Sequence, residues 1–339
     1  MNSNDKIYVA GHRGLAGSAI VRRLQAAGYT NLVTRSHAEL DLTDAAAVRR
    51  FFADERPAHV FLAAAKVGGI VANDTYPAEF ITQNLAIQNN VLSEARKHQV
   101  QRLVFLGSSC IYPRDCAQPI RESYLLTGPL EHSNRAYAIA KIAGVETCWA
   151  FNRQYQTRYI AAMPTNLYGP GDNYDLQNSH VLPALMRKMH EGKVNGARSV
   201  SVWGSGIPRR ELLHSDDMAA ACVFLGDLND TAFDRLFDRG ALAPLINIGY
   251  GSDLSIAELA ARVAATVGFT GALEFDRNRP DGTPQKLLDS ARIRALGWTP
   301  AISLDAGLRL TYEDFRVRFG NDASEKIWLI RKSSGRKGH

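Results

Sequence analysis

A short apolar run, Ile7-Tyr8-Val9-Ala10, leads directly into Gly11-His12-Arg13-Gly14-Leu15-Ala16-Gly17 and then into a helical pattern. This order of strand, G-x-x-G-x-x-G and helix constrains the chain more than any other feature. Glycines at that spacing give a tight turn, let the backbone approach a pyrophosphate, and aim helix N-terminal amides at the anion. Isolated glycine triplets mean little, but here the context is the one that a dinucleotide-binding βαβ unit requires.

The rest of the first half fits that opening. Apolar runs alternate with helical patterns, the mark of βαβ units and a parallel sheet. Strands are expected at 32–34, 60–63, 103–106, 159–163 and 245–248, with Pro164 closing the fifth of the first half. Helices are expected at 18–27, 44–54, 76–98 and 137–154. After Leu167 the run Tyr168-Gly169-Pro170-Gly171-Asp172-Asn173 is turn-rich and should leave the sheet. Helical patterns return at 182–191 and 216–225, with a strand-like run at 200–203 between them. The expected fold is therefore α/β: a Rossmann-like doubly wound parallel sheet with a smaller mixed α/β substrate-binding lobe. Residues 1–170 plus 215–250 would form the nucleotide-binding domain, and 171–214 plus 251–320 the smaller lobe. Residues 321–339 read as a basic, disordered tail.

Composition narrows the partners. No apolar run approaches the ~18 residues that a membrane span needs, and the N-terminus lacks the pattern of a signal peptide. The four cysteines show no C-x-x-C spacing, so neither a metal site nor a redox pair is expected. In a cytoplasmic protein they would be free thiols. The net charge of +6 suggests nucleic acid at first sight. However, five basic against two acidic residues after Gly320 account for half of it. The mildly basic body suits a phosphorylated small molecule, with no nucleic acid and no membrane as partner.

Two sets of reactive side chains stand out. Gly107-Ser108-Ser109-Cys110-Ile111-Tyr112-Pro113 follows a strand, and ligands in open α/β sheets sit at such carboxyl ends. Tyr137 and Lys141 lie four apart on one helix face. A lysine ammonium beside a phenol would lower its pKa, so that the tyrosine can exchange a proton with a carbonyl oxygen as hydride moves. If the strand alternation continues past Leu106, Ser108 and Cys110 face the same side and Ser109 the other. At the end of the second strand, Thr34-Arg35-Ser36-His37 offers no acid until Glu39. With Arg13 in the glycine loop, this end favours the 2′-phosphate of NADP(H) over the bare ribose of NAD.

Together the glycine loop, the strand-end serine and Tyr137-x-x-x-Lys141 resemble the extended short-chain dehydrogenase/reductase family, across residues 6 to about 320. A narrower likeness lies in Ala65-Lys66-Val67-Gly68-Gly69-Ile70, Ser108 to Pro113, Ala138 to Gly144, Pro164 to Pro170, Trp203-Gly204-Ser205-Gly206 and Asp281-Gly282-Thr283-Pro284. It is to the members that take GDP-4-keto-6-deoxy-D-mannose, epimerise C3 and C5, and reduce C4 with NADPH. The resemblance implies Ser108, Cys110, Tyr137, Lys141 and His180 as catalytic, with Cys110 the epimerising base and His180 the acid. It implies cofactor contacts at Gly11, His12, Arg13, Gly14, Leu15, Ala16, Gly17, Arg35, Asp41, Leu42, Ala64, Lys66, Leu106, Gly107, Ser108, Lys141, Pro164, Thr165, Asn166, Leu167 and His180. For the GDP-sugar it implies Ser108, Lys188, Trp203, Arg210 and Asp281. It also implies a homodimer paired through the helices 76–98 and 137–154. Where the family can carry a second arginine near strand two this chain has His37, so the grip on a 2′-phosphate rests on Arg13 and Arg35.

Two other readings stay open at this stage. A nucleotide-sugar 4-epimerase or 4,6-dehydratase would recycle tightly held NAD. A dehydratase, though, wants an acidic residue beside the catalytic serine, and Cys110-Ile111 offers none. A cofactor-sensing binding protein on the same scaffold would keep the glycine loop without needing the whole reactive set.

Overall fold

The computed structural model describes residues 1–176, 179–236, 243–279 and 281–319. The expected basic tail at 321–339 lies outside them, as do Asn178 and Pro280. Five strands run through the first half: β1 (Ile7–Ala10), β2 (Leu32–Val33), β3 (His59–Leu62), β4 (Arg102–Leu106) and β5 (Tyr159–Pro164). With Leu245–Ile248 they form one parallel sheet in the order β2-β1-β3-β4-β5 and then 245–248. β1, β3, β4 and β5 are buried throughout, as expected of strands covered on both faces. Pro164 closes β5, as expected. It pairs with Ile248 as the last residue of the strand.

The helices cover the two faces of this sheet. On one, Leu15–Ala26 packs with Ser215–Gly226 over Ile7, Val9, Val104 and Ile160. On the other, Pro77–Lys97 packs with Arg135–Tyr155 over Tyr8, Leu103 and Phe105. Buried Gln88 ties that second pair together by donating to the Ala140 carbonyl at 2.7 Å. The first helix starts at Leu15 rather than 18, because the glycine loop itself makes its first turn: Gly14 is the N-cap and Ser18 N–H already reaches the Gly14 carbonyl. Elsewhere the ends follow local chemistry. Asp44 caps Ala45–Glu55, and Ser255 with Glu258 forms a capping box on Ile256–Val267.

A smaller mixed lobe lies beyond β5. Arg209–His214 pairs antiparallel with Asp253–Ser255 and parallel with Gln285–Lys286 and Asn166–Tyr168. Ser199–Trp203 pairs parallel with Ala272–Asp276. Its own core gathers Leu185, Met189, Leu259, Val263 and Leu308. The pairing of 285–286 with 209–210 sets Lys286 opposite Arg210, which matters for the site.

Candidate active site

The glycine loop turns where β1 ends. Gly11 has φ +83°, and a Cβ there would lie 2.7 Å from the Ala64 amide nitrogen, so the loop presses on the end of β3. A Cβ on Gly17 would collide with the Gly11 carbonyl. The turn thus exposes the amides that open the first helix, and His12 Nδ1 is buried beside them with no hydrogen-bond partner. A backbone cradle with a spare imidazole nitrogen fits a dinucleotide pyrophosphate.

At the end of β2, Arg35 reaches the Thr34 carbonyl and Glu55, and Arg13 is exposed on the loop. Both guanidiniums lower the pKa of Glu39, whose largest influences are hydrogen bonds from Ser36. Arg13 and Arg35 therefore share one neighbourhood, as the spacing implied. Asp41 accepts from the amide and hydroxyl of Thr43, and the Leu42 carbonyl accepts from Asn90. Lys66 pairs with Glu79, while its backbone is clamped on both sides by buried Asn84. Gly107 N–H donates to the Ala162 carbonyl, and Thr165 N–H to Ile248, which sets 107 and 164–167 side by side at the sheet's carboxyl edge.

Four of the five residues expected to be catalytic lie together at the end of β4. Lys141 is buried on its helix and donates to the Leu106 carbonyl at 2.7 Å. Tyr137, one turn earlier on the same helix, is near enough to the Ser108 hydroxyl for that hydroxyl to lower its pKa. The alternation argument for Ser108 and Cys110 does not hold, because the strand stops at Leu106. Ser108 instead caps a 3₁₀ turn, Ser109–Ile111, and its Oγ accepts from Cys110 N–H at 3.5 Å. The turn brings the two together regardless, and Ser108 and Lys141 both act on the Cys110 thiol.

The electrostatics also differ from expectation at Tyr137. Burial pushes its phenol well up, neighbouring Cys110 adds to the rise, and the Ser108 hydroxyl pulls partly back. Lys141 does not lower it here: the ammonium is 5.8 Å from the phenol ring centroid and committed to Leu106. Burial brings Lys141 itself down to about 8, against a small opposing pull from Cys110. The Cys110 thiol is raised by burial and drawn back first by Lys286.

Lys286 is the residue that sequence reading missed. It lines one pocket with Cys110, Ser109, Glu131 and Asn134. Asn134 heads the Arg135–Tyr155 helix without capping it, and its Oδ1 is buried and unpartnered. Lys286 acts on Cys110 and also on His180. His180 heads the helix Val181–Val194 without capping it, with an exposed edge but enough protein around the ring to lower its pKa by desolvation, with Lys286 adding to the effect. Among the described residues no hydrogen bond joins His180 to Cys110, and Lys286 is the group whose charge acts on both.

The smaller lobe supplies the remaining residues. Half-exposed Trp203 carries the Lys188 ammonium at 5.0 Å and the Arg279 guanidinium at 4.8 Å over its ring. Arg279 was not anticipated in this role. Arg210 donates to the Arg209 and Thr283 carbonyls, and both oxygens of Asp281 accept from Ser205. In this structure Asp281 thereby ties the turn after Trp203 to the loop before Lys286.

The model of the NAD dependent epimerase/dehydratase family matches residues 7–234. The chain belongs to that family. It is 58% identical over 308 residues to GDP-L-fucose synthase 1 of Arabidopsis thaliana, covering 91% of this chain and 92% of the relative. It is 52% identical over 313 residues to GDP-L-fucose synthase of Escherichia coli K12, covering 92% and 97%. Among solved structures, a GDP-L-fucose synthetase from Naegleria fowleri bound to NADP superposes with a TM-score of 0.83 at 26% identity, covering 95% of this chain and 98% of that one. This likeness spans both the parallel sheet and the mixed lobe, and it groups the chain with the GDP-L-fucose synthases.

Proposed function

We propose that this protein converts GDP-4-keto-6-deoxy-D-mannose to GDP-L-fucose in two steps, epimerising C3 and C5 and then reducing C4 with NADPH. The observation that carries the reading is the meeting of Ser108, Cys110, Tyr137 and Lys141 at one strand end, on the same sheet edge as the glycine loop. A plain reductase needs the serine, tyrosine and lysine. The thiol is extra, and epimerisation gives it work.

The protons on C3 and C5 flank the C4 carbonyl, so either can leave if the enolate oxygen is stabilised. Ser108 and Tyr137, neighbours at the end of β4, would both donate to that oxygen. Cys110 would take the proton as thiolate, a form that the neighbouring ammoniums of Lys286 and Lys141 favour against the cost of burial. His180 would return a proton from the opposite face. Bound NADPH supplies the hydride for C4. Tyr137 would then give its proton to the developing alkoxide, and the Lys141 ammonium would have to leave the Leu106 carbonyl to support the charge left on the phenol.

The dinucleotide would lie along Gly11–Gly17, with Arg13 and Arg35 toward the 2′-phosphate. We assign residues 1–170 plus 215–250 to that domain and 171–214 plus 251–320 to the nucleotide-sugar lobe. In the lobe Lys188 and Arg210 suit the diphosphate and Trp203 a flat ring. The helices Pro77–Lys97 and Arg135–Tyr155, with Ile139 and Tyr155 exposed, would pair with those of a second copy. A cytoplasmic homodimer is the expected form. No helix among the described residues is long and apolar enough to cross a membrane. Incubation with the 4-keto sugar and NADPH in deuterated water, followed by product NMR, tests the reading. Deuterium at C3 and C5 is expected, and Cys110→Ser should abolish it while NADPH still binds. Reduction without exchange in the native enzyme would remove the epimerase half.

A further inference from the structure

The adenosine ribose of a dinucleotide meets a fold of this kind just past the end of the second strand. Here β2 ends at Val33, and Ser36 follows three residues on. Its N–H and its hydroxyl both donate to one oxygen of Glu39, each at 2.6 Å. Arg35 and Arg13 act on the same carboxylate. The other charges nearby are already matched: Arg35 to Glu55 at 2.5 Å and His37 near Asp41 at 3.9 Å. Among the described residues Arg13 makes no ion pair. An amide and a hydroxyl on one anion, with the charges of Arg13 and Arg35 nearby, make a phosphate-like setting, and the anion in it is a side chain of the protein itself.

We propose that Glu39 sets the cofactor preference of this enzyme, its carboxylate standing where the 2′-phosphate would draw on Ser36. NADPH must displace Glu39 or sit against its charge, whereas the 2′-hydroxyl of NADH can donate to it. Glu39 thus counteracts Arg13 and narrows the selectivity for NADPH. The proposal rests on the glycine loop being the NADP(H) site. The competing account makes Ser36–Glu39 a turn staple and nothing more, since Glu39 and Leu40 N–H also return to the Ser36 carbonyl at 3.1 and 2.9 Å.

Calorimetric titration of the native protein, Glu39→Gln and Ser36→Ala with NADP⁺, NAD⁺ and 2′,5′-ADP separates the two. Removing one screened charge from beside a phosphate should tighten NADP⁺ and 2′,5′-ADP about fivefold in Glu39→Gln, with the gain shrinking in high salt. NAD⁺ should weaken in the same variant. Ser36→Ala, which deletes a phosphate donor, should weaken NADP⁺. If Glu39→Gln shifts both dinucleotides equally or not at all, or weakens NADP⁺ as Ser36→Ala does, the residue is a staple and the proposal fails. Native protein that binds neither NADP⁺ nor 2′,5′-ADP would instead remove the cofactor site on which the proposal rests.

Discussion

Asn247→Ala offers the most direct test of how the fold holds the reactive turn. Asn247 is fully buried on the last strand of the large sheet. Its Oδ1 accepts from the Tyr112 hydroxyl at 2.5 Å, and its Nδ2 donates to the carbonyls of Ile120 at 2.9 Å and Asp289 at 3.2 Å. One amide therefore pins both the loop that follows Cys110 and the segment that follows Lys286. In Asn247→Ala the Ile120 carbonyl keeps its bond from Asp289 N–H, but the Tyr112 hydroxyl is left buried and unpaired and the partly buried Asp289 carbonyl loses its Asn247 donor. At roughly 1–3 kcal/mol for each stranded group, the loss is about 4 kcal/mol. For a chain of this size that lowers the thermal midpoint by on the order of 8 °C. The glycine loop uses none of these bonds, so NADP⁺ affinity should hold while deuterium wash-in at C3 and C5 slows. Scanning calorimetry with cofactor titration and exchange NMR measures all three. A midpoint within roughly 2 °C of native would refute the bond count. Equal losses of cofactor affinity and exchange would refute the claim that Asn247 serves the reactive turn.

Two further outcomes follow from the charges around Cys110. Lys286→Met removes the charge that most opposes the rise of the thiol. The pH profile of Cys110 alkylation should move to higher pH and wash-in should fall about tenfold or more; an unchanged profile would take Lys286 out of the base. The steps should also separate with pH. The thiol is raised, so its base form and the exchange rate grow as pH rises. Lys141 is lowered to about 8 by burial, so its charged form is full below that value and lost above it, and reduction should decline there. Exchange and NADPH oxidation that follow parallel profiles from pH 7 to 9 would contradict this assignment.

What could be read from the chain was what is written locally. β1, β4 and the glycine loop announce themselves by contiguous apolar residues and by glycines whose positions the backbone demands, and the structure has them where the pattern put them. Lys286 had no such signal. Its importance arises when 285–286 pairs beside 209–210, a register between segments some seventy residues apart that no local period encodes. Glu39 had half a signal, since Ser36-x-x-Glu39 has the spacing of a capping box, but only the fold brings Arg13 to the same place.

Ser108 and Cys110 show how a sound pairing can be reached through a wrong geometry. Alternation requires an extended strand through 110, and the strand ends four residues short of that. A 3₁₀ turn, with roughly three residues per turn, does not put residues two apart on one face. They meet because Ser108 caps the turn with its side chain, the ordinary habit of a serine at such a position. The same hydroxyl accepts from the Cys110 backbone and lowers the pKa of neighbouring Tyr137. In Ser108→Ala the cap and the carbonyl donor would therefore be lost together, so a fall in reduction alone cannot assign the residue. Ser108→Thr keeps both the hydroxyl and the cap and should recover wash-in and reduction in step. Recovery of one without the other would mean that capping and donation are separable.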